Sequence, residues 1–160
     1  MFDIMSTQQT RFVDKALRQL LSRSEARAVL LANEAGYILA EQAYDDAEEF
    51  TQGQNIAALA SGSFFATREM ARIVGEGEFK CVLHQGSRSG IFIMLVAASL
   101  ILVVIFDRNT NPGLVKLLCE NTANQLETLL AQEAEATEED SINPATFKLN
   151  TAESVFEQAP

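Results

Sequence analysis

The stretch Gly90–Asp107, GIFIMLVAASLILVVIFD, constrains the fold more than any other part of the chain. Its core, residues 91–106, carries one hydroxyl and no charge. A membrane span needs about 20 apolar residues, so this run is short by roughly one turn. Its flanks also lack a one-sided basic cluster, because Arg88 stands on one side and Arg108 on the other. A buried helix would fit the length. Ile, Val and Phe dominate both halves, however, and branched and aromatic side chains suit a pleated surface better than a helix. The small group Ala97-Ala98-Ser99 sits in the middle, where a hairpin would turn. The pattern therefore predicts two antiparallel strands, Gly90–Val96 and Leu100–Phe106. Near-continuous apolar strands are covered on both faces, so the rest of the chain must supply two covering layers.

A chain of 160 residues is long enough for one domain with a substantial core. Its net charge of −10 argues against nucleic acid and against an anionic membrane surface. The acid is concentrated at the end. Residues 133–160 hold seven acids against Lys148, a net of −6, which leaves −4 for residues 1–132. Cys81 and Cys119 show no pairing pattern and read as small apolar core residues in a reducing compartment. The opening MFDIMSTQQTRF has no basic stretch followed by an apolar one, so a cytoplasmic protein without membrane insertion is expected.

Along the chain, residues 7–22 read as a helix capped by Ser6 or Thr7. Val13, Ala16, Leu17, Leu20 and Leu21 fall on one face and Arg11, Lys15 and Arg18 on the wet side. Ala28–Asn33 and Tyr37–Glu41 flank a turn in which Gly36 can take positive φ, giving a hairpin. Residues 42–54 form a polar loop. Asn55 can cap a helix running to Val74, stopped by Gly75 and Gly77. Its stripe Leu59, Ser63 (or Gly62), Ala66, Met70 and Ile73 is assigned to the sheet. Phe64 and Phe65 are adjacent and about 100° apart, so at least one points elsewhere. With Arg68, Glu69, Arg72 and the small residues around Ser61, that side suggests a protein interface.

Phe79–Gln85 alternates, with Phe79, Cys81 and Leu83 facing one way and Lys80, Val82 and His84 the other. Cys81-x-x-His84 resembles half a metal site, but an offset of three puts the two on opposite strand faces, and no further ligand lies near. Asn111 and Pro112 open a last helix reaching about Ala131. Residues 132–146 are acidic and read as a disordered tether. Phe147, Leu149, Val155 and Phe156 then return apolar character, and 147–157 is expected to be a linear motif that folds on a partner.

The order α-ββ-α-βββ-α gives an α+β sandwich: a five-stranded antiparallel sheet with helices on both faces. The central helix would cover one face and the terminal helices the other. If Phe79–Gln85 is an edge strand, a twofold copy can extend the sheet there and bring two central helices side by side.

The segments AVLLANEAGYILAE, IAALASGSFFATREMARIVGEGEF, VLHQGSRSGIFIMLV and LILVVIFDRNTNPGLVKL resemble the Roadblock/dynein light-chain family over residues 7–131. The likeness is greatest to its bacterial MglB-type branch, through Gly75–Phe79, His84–Gly86, Val103–Asp107 and Gly113–Leu117. The resemblance implies a Roadblock-like domain over 1–132, followed by an acidic tail over 133–160. It implies a cytoplasmic homodimer that can concentrate at a cell pole and regulates a Ras-like small GTPase of the MglA type. In that branch the paired central helices touch the GTPase, and the GTPase's own catalytic groups are reorganised without an inserted arginine. Carried onto this chain, Ser61, Phe65, Arg68, Glu69 and Arg72 would meet the partner. Phe64, Phe79, Lys80, Val82 and His84 would form the dimer interface, and the tail motif would bind elsewhere on the GTPase. The branch usually carries small residues where this chain has Phe65 and Glu69. No P-loop, nucleophile–base pair or cofactor motif is present, so a regulator is expected, with a non-catalytic scaffold for polarity, motor or signalling partners as the competing reading.

Overall fold

The computed structural model describes residues 5–44 and 52–141. Eight elements follow in order: α1 (Thr7–Ser24), β1 (Ala28–Asn33), β2 (Ile38–Ala43), α2 (Gly53–Val74), β3 (Cys81–Gln85), β4 (Ser89–Val96), β5 (Leu100–Asp107) and α3 (Pro112–Ser141). The strands form one antiparallel sheet in the order β2-β1-β5-β4-β3. The apolar run is thus the β4–β5 hairpin, paired from Ser89↔Asp107 to Val96↔Leu100. Ala97 takes a φ of 54° in the connecting loop, the left-handed residue such short loops need. Among the described residues no helix is long and apolar enough to cross a membrane.

The sheet's two layers explain why the run shows no alternation. Leu30, Ala32, Ile93, Leu95, Ile101 and Val103 point to α2 and pack with Ala57, Ala60 and Phe64. The alternate residues, Val29, Leu31, Phe92, Met94, Leu102 and Val104, are buried on the opposite face. There α1 contributes Val13, Leu17 and Leu20, and α3 contributes Val115, Leu118, Cys119 and Leu126. β5 lies between β1 and β4 and is buried on both sides, so every residue from Ile101 to Phe106 is inside.

Local chemistry sets the boundaries. Ser6 accepts from the Gln9 N–H while the Gln9 side chain accepts from the Ser6 N–H, a complete capping box. Asn111 Oδ1 accepts from the Gly113 N–H at 2.8 Å, as expected of its capping role. The start of α2 differs from expectation: it begins at Gly53, and Asn55 instead donates to the Gln52 side chain. Gly75 closes α2 at φ 79°, where a side chain would be strained. The helix expected to end near Ala131 runs on to Ser141, so 132–141 is helical rather than a tether. Ala, Glu and Gln are strong helix formers, and no Gly or Pro interrupts them before Pro144. The chain divides into two compact units between Glu127 and Thr128. The acids at 45–49 and the motif residues Phe147, Leu149, Val155 and Phe156 lie outside the described residues.

Candidate functional site

The candidate site is the outer side of α2 together with the β3 edge. Two apolar stripes run along α2. The inner one is Ala57, Ala60, Ser61, Phe64, Thr67 and Ala71. The other is Leu59, Gly62, Ser63, Ala66, Met70 and Ile73, and it faces away from the sheet: Leu59 is 74% exposed and Ile73 72%. The expectation that this second stripe meets the sheet is therefore corrected. Its spacing is right and its direction wrong, because a helix apolar around most of its circumference does not declare which side is covered. One signal was available. Glu69 flanks Gly62 at the margin of this stripe on the helical wheel, and a sheet-facing stripe would bring its charge close to burial.

Small residues let α2 press on the β1–β2 turn. Gly36 takes φ 84°, and a Cβ there would lie 2.7 Å from the Ala58 Cα. Ser61 Oγ donates to the Glu34 carbonyl at 2.6 Å, and Gln54 Nε2 to the Gly36 carbonyl at 2.6 Å. Arg68 ties a second turn to the same place. It pairs with Glu34 at 3.2 Å, donates to the Ala98 carbonyl at 2.9 Å, and stacks its guanidinium 4.3 Å from the Phe65 ring centre. Phe65 in turn meets Phe64 edge-on, with centroids 5.5 Å apart. Two of the expected contact residues are thus internal. Ser61 and Phe64 are each 1% exposed, so Ser61 offers a partner no surface and Phe64 offers none to a second copy. Phe65 and Arg68 are half-buried at the flank of the helix, and Glu69 and Arg72 are exposed. Glu69 accepts from Arg72, which holds its carboxyl below the usual range and raises the guanidinium.

Among the described residues β3 is an edge strand, paired only with β4. Val82 packs at the margin of the α2-side core, whereas Lys80, just before the strand, lines a cleft with Met94 and the α3 residues Glu120 and Ala123. Phe79 lies before the strand proper, and the Lys80 carbonyl accepts from the Leu95 N–H at 2.9 Å. α2 packs mainly over β1, β2 and β5. Beyond it, Val82 and Ile91 remain half-buried, forming an apolar shelf that ends at the unpaired edge. Along the β3 segment Phe79 and Val82 are half-buried, and Lys80 and His84 are exposed.

Among the described residues no group of three His, Cys, Asp or Glu could hold a metal. Burial pushes the Cys119 thiol up to about 12, which makes it a poor nucleophile.

The family model for the Roadblock/LC7 domain matches residues 12–106. The chain belongs to this family. Among solved structures, this Roadblock domain is similar to the gliding protein MglB of Thermus thermophilus. The two are 26% identical with a TM-score of 0.75, over 81% of this chain and 96% of that one. An MglB described in a tetrameric arrangement gives 26% identity and a TM-score of 0.76, over 81% and 95%. In sequence, the domain is 23% identical to an uncharacterized protein of Methanocaldococcus jannaschii, over 73% of this chain and 98% of that protein. The sheet order and both helical layers are those of the Roadblock fold, of MglB type.

Proposed function

We propose that this Roadblock protein is a homodimer that regulates a Ras-like small GTPase of the MglA type. One observation carries the reading: α2 leaves an apolar shelf uncovered beside an unpaired strand edge, and exposes its own apolar stripe in the same layer. A second copy pairing at β3 would satisfy the free backbone groups of the edge and cover Val82 and Ile91. The two α2 helices would then lie side by side as one platform. The likeness to MglB supports a GTPase as the occupant of that platform.

In this reading Phe79, Lys80, Val82 and His84 serve the dimer, and Phe65, Glu69 and Arg72 meet the partner. Arg68 acts from behind, because its guanidinium is committed to Glu34, Ala98 and Phe65. The protein would stimulate hydrolysis by holding the switch loops so that the attacking water and the transition-state charge are better placed. Phosphate release from the cognate GTPase is expected to rise when the full chain is added. Binding without a change in rate would leave the second reading, a non-catalytic scaffold. That reading draws on Phe65 and Glu69, whose bulk and charge alter the docking surface. Phe65→Arg or Ala66→Arg is expected to abolish partner binding and leave the dimer intact; wild-type affinity in both would move the interface off α2.

A further inference from the structure

We infer that the outer face of α1 docks into an acidic cleft on another copy of this chain. The reading goes beyond GTPase regulation and needs neither GTPase nor nucleotide. α1 is a basic island in an acidic protein. Residues 7–24 carry Arg11, Lys15, Arg18 and Arg23 against Asp14, a net of +3 in a chain of −10. All four cations are exposed, and they form no ion pair among the described residues. Arg11, Lys15 and Arg18 stand at i, i+4 and i+7 and make one ridge. Phe12, next to it around the helix, leaves 39% of its surface in water.

A cleft of about 720 Å³ opens between α3, the start of β3 and the β4–β5 loop. Met94 and Ala123 give it an apolar floor. Glu78, Glu120 and Glu127 rim it, with Lys80 as the opposing cation. Glu127 accepts from the Ala97 N–H at 2.9 Å and so is held in place. The two surfaces match in length as well as charge. Arg11 to Arg18 and Glu120 to Glu127 each span seven residues, about 10.5 Å along a helix. The ridge can therefore set a cation against each end of the α3 segment while Phe12 enters the cleft. Exposed charge pairs alone add little, so the buried aromatic ring supplies the anchor and the charges set the register. The surfaces differ, so the contact is heterologous and joins chains beyond a twofold pair. A solved MglB structure 26% identical to this chain has a tetrameric arrangement.

Sedimentation velocity on the full chain tests this at low and high salt. At low ionic strength the wild type is expected to form species larger than a dimer, which fall back to the dimer at about 0.5 M salt as the charges are screened. The ridge variant Arg11→Glu/Lys15→Glu/Arg18→Glu should keep the dimer and lose the larger species. Glu120→Lys, which leaves the Glu127–Ala97 bond intact, should weaken assembly about tenfold or more. Phe12→Ala should weaken it with every charge in place. An equimolar mixture of the ridge and Glu120→Lys variants should reform larger species, because each supplies the surface the other lacks. Three results overturn the inference: no wild-type species above the dimer, unchanged assembly in the ridge variant, or a mixture that does not reform. Ridge-dependent binding to phosphatidylserine vesicles, without recovery in the mixture, would assign the ridge to lipid and overturn it equally.

Discussion

β5 and α2 are both rich in apolar residues, and only one of them is fully used by the monomer. β5 has a neighbour strand on each side and a helical layer above and below, so Ile101–Phe106 are all buried. α2 has a sheet beneath it and, among the described residues, nothing over its outer stripe, so Leu59, Met70, Ile73 and Val74 remain exposed. Apolar composition thus means core in one element and interface in the other. The difference lies in how many sides of each element the chain itself can cover.

The largest test of that contrast is inside the core. Leu102→Ala on β5 and Phe64→Ala on the inner side of α2 should each cost about 3–5 kcal/mol, read from urea unfolding. A loss below about 1 kcal/mol in either would mean the layer is less closely packed than the burial shows. Next, Ile73→Asp on the outer stripe should leave monomer stability within about 0.5 kcal/mol, as exposed positions do. Its effect should appear as weaker partner binding at unchanged molar mass by light scattering; unchanged partner binding would deprive the outer stripe of its role.

Arg68→Ala should cost about 1 kcal/mol, since its ion pair is partly exposed and solvent screens it. The loosened Phe65 should then weaken partner binding more than stability. Equal losses in both would make Arg68 purely structural.

The smallest effect at neutral pH concerns Cys119. A thiol reagent at pH 8 should modify Cys81 on the edge and spare Cys119 until the chain unfolds. The Cys119 thiol ionises near 9 when unfolded and at about 12 when folded. Its contribution to stability is therefore whole below pH 9 and is lost as pH rises from 9 toward 12. Stability that is flat with pH across that window in a Cys119→Ala comparison would remove the burial argument.

Much of this was legible in the residues. The β4–β5 hairpin followed from Ile, Val and Phe flanking a small central turn, and two covering layers followed from the absence of alternation. The Ser6 cap, the Gly75 stop and the Asn111–Pro112 start are local hydrogen-bond and φ chemistry, which sequence carries directly. The direction of α2 was carried only by Glu69 beside its outer stripe, because both stripes are apolar and periodicity has no sign. Nor were the internal roles of Ser61 and Arg68, which depend on Glu34 and Ala98, carbonyl and carboxylate groups about 30 residues away in the chain. The α3 extension was hidden by reading acid as disorder, although the helix propensity of those same residues pointed the other way.

By itself the sequence determined the elements, their order and the need for a sheet buried on both faces, since short-range sterics and the period of apolar residues act before any tertiary contact forms. Only the tertiary structure decided which apolar surfaces the monomer consumes. α2 sits over β1, β2 and β5 because the small residues Ala58 and Gly36 let it close on the β1–β2 turn there. That offset leaves the Val82–Ile91 shelf and the outer stripe uncovered among the described residues.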